Sequence, residues 1–72
     1  MAKIILVPGE QFEHMHSSSS VTRLDAGSVE LQLPDATHIL REGEEIQVPA
    51  QTSHRLVNIG STDAVVYCGG HR

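Results

Sequence analysis

The chain reads as short runs of apolar or alternating residues broken every few positions by Gly, Pro, Asp or Ser. Ile4 to Val7 is a continuous β-branched run closed by Pro8-Gly9, which predicts a buried first strand. Gln11 to His16 follows as a second strand with Phe12, His14 and His16 on one face. Ser17 to Ser20 is a polar break, and Val21 to Leu24 resumes strand character before a turn at Asp25-Ala26-Gly27. Ser28 to Leu33 alternates strictly, with Val29, Leu31 and Leu33 on one face, as a half-buried antiparallel strand does. Pro34-Asp35-Ala36 turns the chain, and Thr37 to Leu40 returns as the hairpin partner. Ile46 and Val48 share a face in the next strand, which Pro49 ends. His54, Leu56 and Asn58 share a face in the strand after it, and Ala64 to Cys68 is a last apolar strand. Residues 69–72 read as a loose tail.

No segment holds ten residues of helical period, and neither a repeat nor a linker is visible. The expected fold is therefore all-β, one domain over residues 1–72, a small sandwich or barrel. Seventy-two residues bury only about 60% of their unfolded surface, so a monomer is marginal and a metal or a second copy is expected to add stability. Cys68 is the single cysteine, so no internal disulfide forms and no cysteine cluster points to structural zinc.

Five Lys and Arg against nine Asp and Glu give a net charge of −4, which argues against a nucleic-acid surface. No apolar run approaches the roughly 20 residues of a membrane helix, and the Lys3–Pro8 stretch is too short for a signal-peptide core. A cytoplasmic protein is the expectation.

Histidine is the candidate chemistry. His14 and His16, two apart on a strand, point the same way about 6.7 Å from each other. If His54 reaches the same space from a neighbouring strand, three imidazoles converge. Such a set suits Fe, Mn, Ni, Cu or Zn and leaves open positions on the ion.

These stretches resemble the two motifs of the cupin family. Gly43, Pro49, His54 and Asn58 stand at the spacing of the second motif, with Gln51 where the family has a glycine. His14, His16 and Gly27 match the first motif, while the position of its glutamate falls on Ser20 and the leading Gly9 sits one residue nearer the first histidine. The resemblance covers about Gly9 to Val66. It implies a jelly-roll barrel (a double-stranded β-helix), a divalent transition metal held inside by His14, His16 and His54, and a homodimer. A neutral three-histidine centre is similar to those of thiol and β-diketone dioxygenases within the family. That implies a metal-dependent oxygenase acting on a small molecule, the alternative being a non-catalytic module that binds a small ligand.

Other residues carry smaller expectations. Glu13 should face away from the histidines, and Glu30 should be solvated. His38 lacks a motif position, although it or an acid remains a candidate to complete the site. Arg23 and Arg55 are expected at the surface or an interface, with an anionic substrate as the alternative role. Cys68 reads as a small buried hydrophobe, Tyr67 as core or interface, His71 as tail, and Asn58 as support for a turn. Gly43 and Pro49 read as residues that fix the backbone before His54.

Overall fold

The computed structural model describes residues 2–15 and 17–70. Eight strands run in chain order: β1 Ala2–Leu6, β2 Gln11–His14, β3 Ser20–Ala26, β4 Ser28–Gln32, β5 Thr37–Arg41, β6 Glu45–Val48, β7 His54–Asn58 and β8 Ala64–Gly70. They form two four-stranded antiparallel sheets, ordered β1-β8-β3-β6 and β2-β7-β4-β5. Only the β4–β5 hairpin stays within one sheet. Every other connection crosses to the opposite sheet, which winds the chain into the expected double-stranded β-helix.

Side-chain alternation decides what fills the space between the sheets. Leu24 of β3, Val66 of β8, Val29 and Leu31 of β4 and Leu56 of β7 are fully buried on the inner faces. Leu6, Leu40, Val48, Ala64 and Cys68 complete the core, with Ile4, Phe12, Leu33 and Ile46 packed against it. Arg23, Asp25, Glu13 and Arg55 occupy alternate, outward positions, where they form exposed ion pairs, Arg23–Asp25 at 3.0 Å and Arg55–Glu13 at 3.6 Å. Tyr67 lies on the outer face too, with the Arg23 guanidinium 5.0 Å from its ring centroid, so it is not part of the core.

Several boundaries differ from the sequence expectation. β1 is an edge strand rather than a buried one: Ile5 is 55% exposed, and Val7 just beyond it 53%. The Ser17–Ser20 break ends a residue early, because Ser20 is already in β3 and buried. Asp25 and Ala26 also belong to β3, and Gly27 alone makes the corner into β4, with φ 89°. A Cβ there would lie 3.0 Å from Ala64 Cα and 3.1 Å from the Asp63 carbonyl oxygen. The corner thus needs glycine twice over, for its left-handed backbone and for its closeness to β8. Finally, Gly69 and Gly70 are not tail: Val21 of β3 pairs with Gly70 and extends β8. His71 lies outside the described residues.

The two ends of the barrel are built differently. At one end Asn58 is buried and closes the turn that follows it. Its Nδ2 donates to the carbonyls of Leu6 and Thr62, both at 2.9 Å, and its Oδ1 accepts from the Gly60 amide at 2.8 Å. The other end carries the histidines.

Candidate metal centre

β2 and β7 pair so that His14 stands directly opposite His54. Both precede or begin crossovers at the same barrel end, and both occupy inward positions. His54 is 1% exposed, while His14 is half-buried at the mouth. Their ring centroids are 5.6 Å apart with the planes at 85°. Phe12, next inward on β2, stacks on the His14 ring at 5.5 Å and 26°, which fixes its orientation.

The turn 49–53 delivers His54. Pro49 ends β6, and Gln51 adopts φ 55°, the left-handed region that glycine enters without strain. Thr52 Oγ1 donates to the Ala50 carbonyl at 3.2 Å. The Thr52 carbonyl oxygen lies 3.5 Å from His54 Nδ1. A carbonyl only accepts, so this contact favours the proton on Nδ1 and leaves the lone pair on the buried Nε2. With the proton on Nδ1, Nε2 is the nitrogen of His54 that could ligate an ion.

The donor chemistry fits a divalent ion. Metal–imidazole bonds of about 2.0–2.1 Å set the centroids of two rings on one ion about 5 Å apart, close to the observed separation. Among the described residues, no group of three or more His, Cys, Asp and Glu side chains stands close enough to hold one. His16, the third expected ligand, lies outside the described residues. The structure therefore brings together His14 and His54.

His38 does not join them. It shares the inner side of sheet β2-β7-β4-β5 but pairs with Leu31 on the edge strand β5, with β4 between it and β7. Two strand spacings, about 10 Å, separate it from His54. Glu13 points outward to Arg55, and Glu30 outward to accept from Gln32 Nε2 at 2.6 Å. Neither carboxylate reaches the interior. Arg23 lies on the far sheet's outer face, whereas Arg55 borders the rim.

Ser20 was read from the sequence as part of a loop, yet it belongs to this end. It opens β3 opposite Val48, the last residue of β6, from which the turn 49–53 runs to His54. Residues 15–19 connect it to His14. Its side chain is 2% exposed and its Oγ is buried without a hydrogen-bond partner among the described residues. Only the register with Val48 reveals this, since a run of four serines carries no strand signal.

Access is open at this end. A cleft of about 220 Å³ lies beside His54, bordered by Ser53, Leu33, Pro34, Glu13 and Arg55. A second, of about 340 Å³, lies between Pro34 and Pro49. Cys68 is remote in kind: it is buried in the core, Thr22 Oγ1 contacts its Sγ at 3.8 Å, and burial pushes the thiol up from its ordinary range.

Comparison with known proteins agrees with this architecture. The family model for the cupin domain matches residues 2–70. Protein SchB of Streptomyces halstedii is 35% identical over 66 residues, covering 89% of this chain and 48% of that protein. The chain thus spans about half the length of the curated relative it matches. A Cupin 2 conserved barrel domain protein from Salinispora arenicola superposes with a TM-score of 0.80 at 22% identity, over 92% of this chain and 56% of the other. A de novo designed double-stranded β-helix superposes with a TM-score of 0.79 at 20% identity, over 93% and 92% of the two chains. Likeness at these identities speaks for the fold alone.

Proposed function

The chain belongs to the cupin family, and from that premise we propose that it holds one divalent transition metal at the open end of its barrel and binds a small molecule there. The observation that carries this reading is the in-register His14–His54 pair, edge to face inside the barrel mouth. His16 is proposed as the third ligand, from its motif position. A bound ion of this class supplies Lewis acidity and, for iron, manganese or copper, one-electron chemistry. The chain's own residues do the rest. Thr52 sets the His54 tautomer, Phe12 holds the His14 ring, and the clefts beside Leu33 and Pro34 admit a ligand from solvent.

Two activities follow from such a centre. The first is oxygenase chemistry on a small molecule. Its test is anaerobic loading with Fe(II) followed by O2-uptake assays over thiols and β-diketones, where turnover supports it and a loaded, inert protein refutes it. The second is non-catalytic binding, favoured by the lining of the site. Phe12, Leu33, Leu56 and Ser20 face inward around the histidines, and among the described residues no carboxylate does. An acid–base pair for proton transfer is not built into this lining.

We further propose a cytoplasmic homodimer, the dimer on the grounds of the exposed Ile5 in the edge strand β1 and the exposed Val7 just beyond it. Light scattering at micromolar concentration tests the dimer directly: a monomer mass would refute it. No helix of the described residues is long and apolar enough to cross a membrane.

A further inference from the structure

We propose that a second copy of this chain docks face to face on the outer side of sheet β1-β8-β3-β6, about a twofold axis that runs along the strands between β8 and β3. This rests on the homodimer proposed above and deepens it by naming the surface. Register comes first. Cross-strand partners share a face, and β1, β8, β3 and β6 align Lys3, Tyr67, Arg23 and Glu45 as one row across the sheet. All four turn outward, because their chain neighbours Ile4, Val66, Leu24 and Ile46 pack inward. The next row, Ile5–Val65–Ala26, is apolar from end to end. Ile5 is 55% exposed there, and Val65 and Ala26 are half-buried. The sheet thus presents an apolar band beside a row that reads positive, aromatic, positive, negative.

The order of charges selects both the occupant and the axis. A twofold interface brings one surface patch against itself. An axis across the strands through this row would set Lys3 on the partner's Lys3 and Arg23 on the partner's Arg23, and like charges so placed repel. An axis along the strands between β8 and β3 reverses the row. It sets Lys3 against the partner's Glu45 and Tyr67 against the partner's Arg23, and it lays Val65 on the partner's Ala26. The Arg23 guanidinium already stands 5.0 Å from the Tyr67 ring centroid and 3.0 Å from Asp25, so cation and ring are oriented before docking. On the outer face of the other sheet, polar groups are matched within one copy: Arg55 pairs with Glu13 at 3.6 Å, and Gln32 donates to Glu30 at 2.6 Å. The face that carries Lys3 and Glu45 at its two edges is the one whose charges a second copy complements.

Within one chain Lys3 and Glu45 lie three strand spacings apart, about 14 Å, so charge swaps at these two positions report contact between copies. The test is sedimentation equilibrium of the full chain over a concentration series, with circular dichroism checking the fold of each variant. The wild type should be a reversible dimer. Lys3→Glu and Glu45→Lys should each weaken it roughly tenfold or more, since each reversal sets like charges together at two symmetric places. An equimolar mixture of the two variants should dimerise again, because every like-charge contact then becomes an opposite-charge one. If Glu45→Lys does not fold, Lys3→Glu decides alone, at an exposed position on the sheet edge. Undiminished dimers in both variants, or no recovery in the mixture, would overturn the inference and leave the dimer standing on another surface. A wild type that stays monomeric throughout would overturn the dimer reading and this inference with it.

Discussion

His14 and His54 are cross-strand partners on β2 and β7, and their rings meet edge to face at 5.6 Å. Register alone brings them together: a slip of one residue would turn one imidazole to solvent. Protons and a metal compete for the same nitrogen lone pairs, so a metal held there as proposed would couple stability to metal and to pH. A divalent ion present at about 100 times its Kd adds about 2.7 kcal/mol. For a domain of this size that raises Tm by roughly 10 °C or more. Calorimetry with saturating Zn(II) should show this rise near pH 7, and it should vanish with chelator and shrink as pH falls toward about 5. A Tm indifferent to chelator across that range contradicts the metal reading.

The Gly27 corner makes a sharper test of the fold. Gly27→Ala must place a Cβ 3.0 Å from the Ala64 backbone at φ 89°. A destabilisation of about 2–4 kcal/mol in urea unfolding is expected. Gly43→Ala, with φ 88° but nothing within 4 Å of the new Cβ, should cost only the backbone penalty of about 1–2 kcal/mol. Equal losses would mean that the contact with β8 adds nothing.

Gln51 is the reverse case. It holds φ 55° where the motif has glycine, so part of the turn before His54 is strained. Gln51→Gly relieves the strain at the cost of a more flexible unfolded chain, and a net gain of about 0.5–1 kcal/mol is expected. Thermal unfolding of the metal-free protein checks it. A loss of stability would show that the Gln51 side chain contributes more than its backbone costs.

Much of this was legible in the sequence, for reasons that differ from residue to residue. The alternation of Val29 and Leu31 and of His54, Leu56 and Asn58 places those side chains inside, as observed. Asn58 was readable as a turn support, because a polar side chain beside Gly60 serves a turn more readily than a ligand. Three features were not legible. Ser20 joins the strand ahead of Val21 only because Val48 pairs with it, and no local propensity encodes that. β1 looks buried because Ile4 to Val7 are all apolar, yet its place at a sheet edge leaves alternate residues in solvent. Tyr67 joins the outer face because it alternates with the buried Val66 and Cys68 on β8.

Cys68 gives a pH prediction of its own. Burial holds its pKa above the ordinary 9.0, with the Thr22 contact offsetting part of the rise. Below that value both folded and unfolded thiols are protonated, so the contribution to stability is fully present. As pH rises further the unfolded thiol ionises first, and stability falls until the folded thiol ionises too. Urea unfolding of wild type should therefore weaken between about pH 8 and pH 10 by more than that of Cys68→Ala. Parallel curves for the two proteins would place the thiol in a less buried environment than the core position found here.

The central claim is that this barrel is built to hold a metal on the histidines at its open end. Elemental analysis of the purified protein after equilibration with a molar excess of Fe, Mn, Ni, Cu and Zn, and removal of unbound metal, tests it most directly, beside His54→Ala and His38→Ala. The account predicts close to one divalent ion per chain in the wild type and in His38→Ala, and little or none in His54→Ala. Metal-free wild type, or equal occupancy in His54→Ala and wild type, would contradict it.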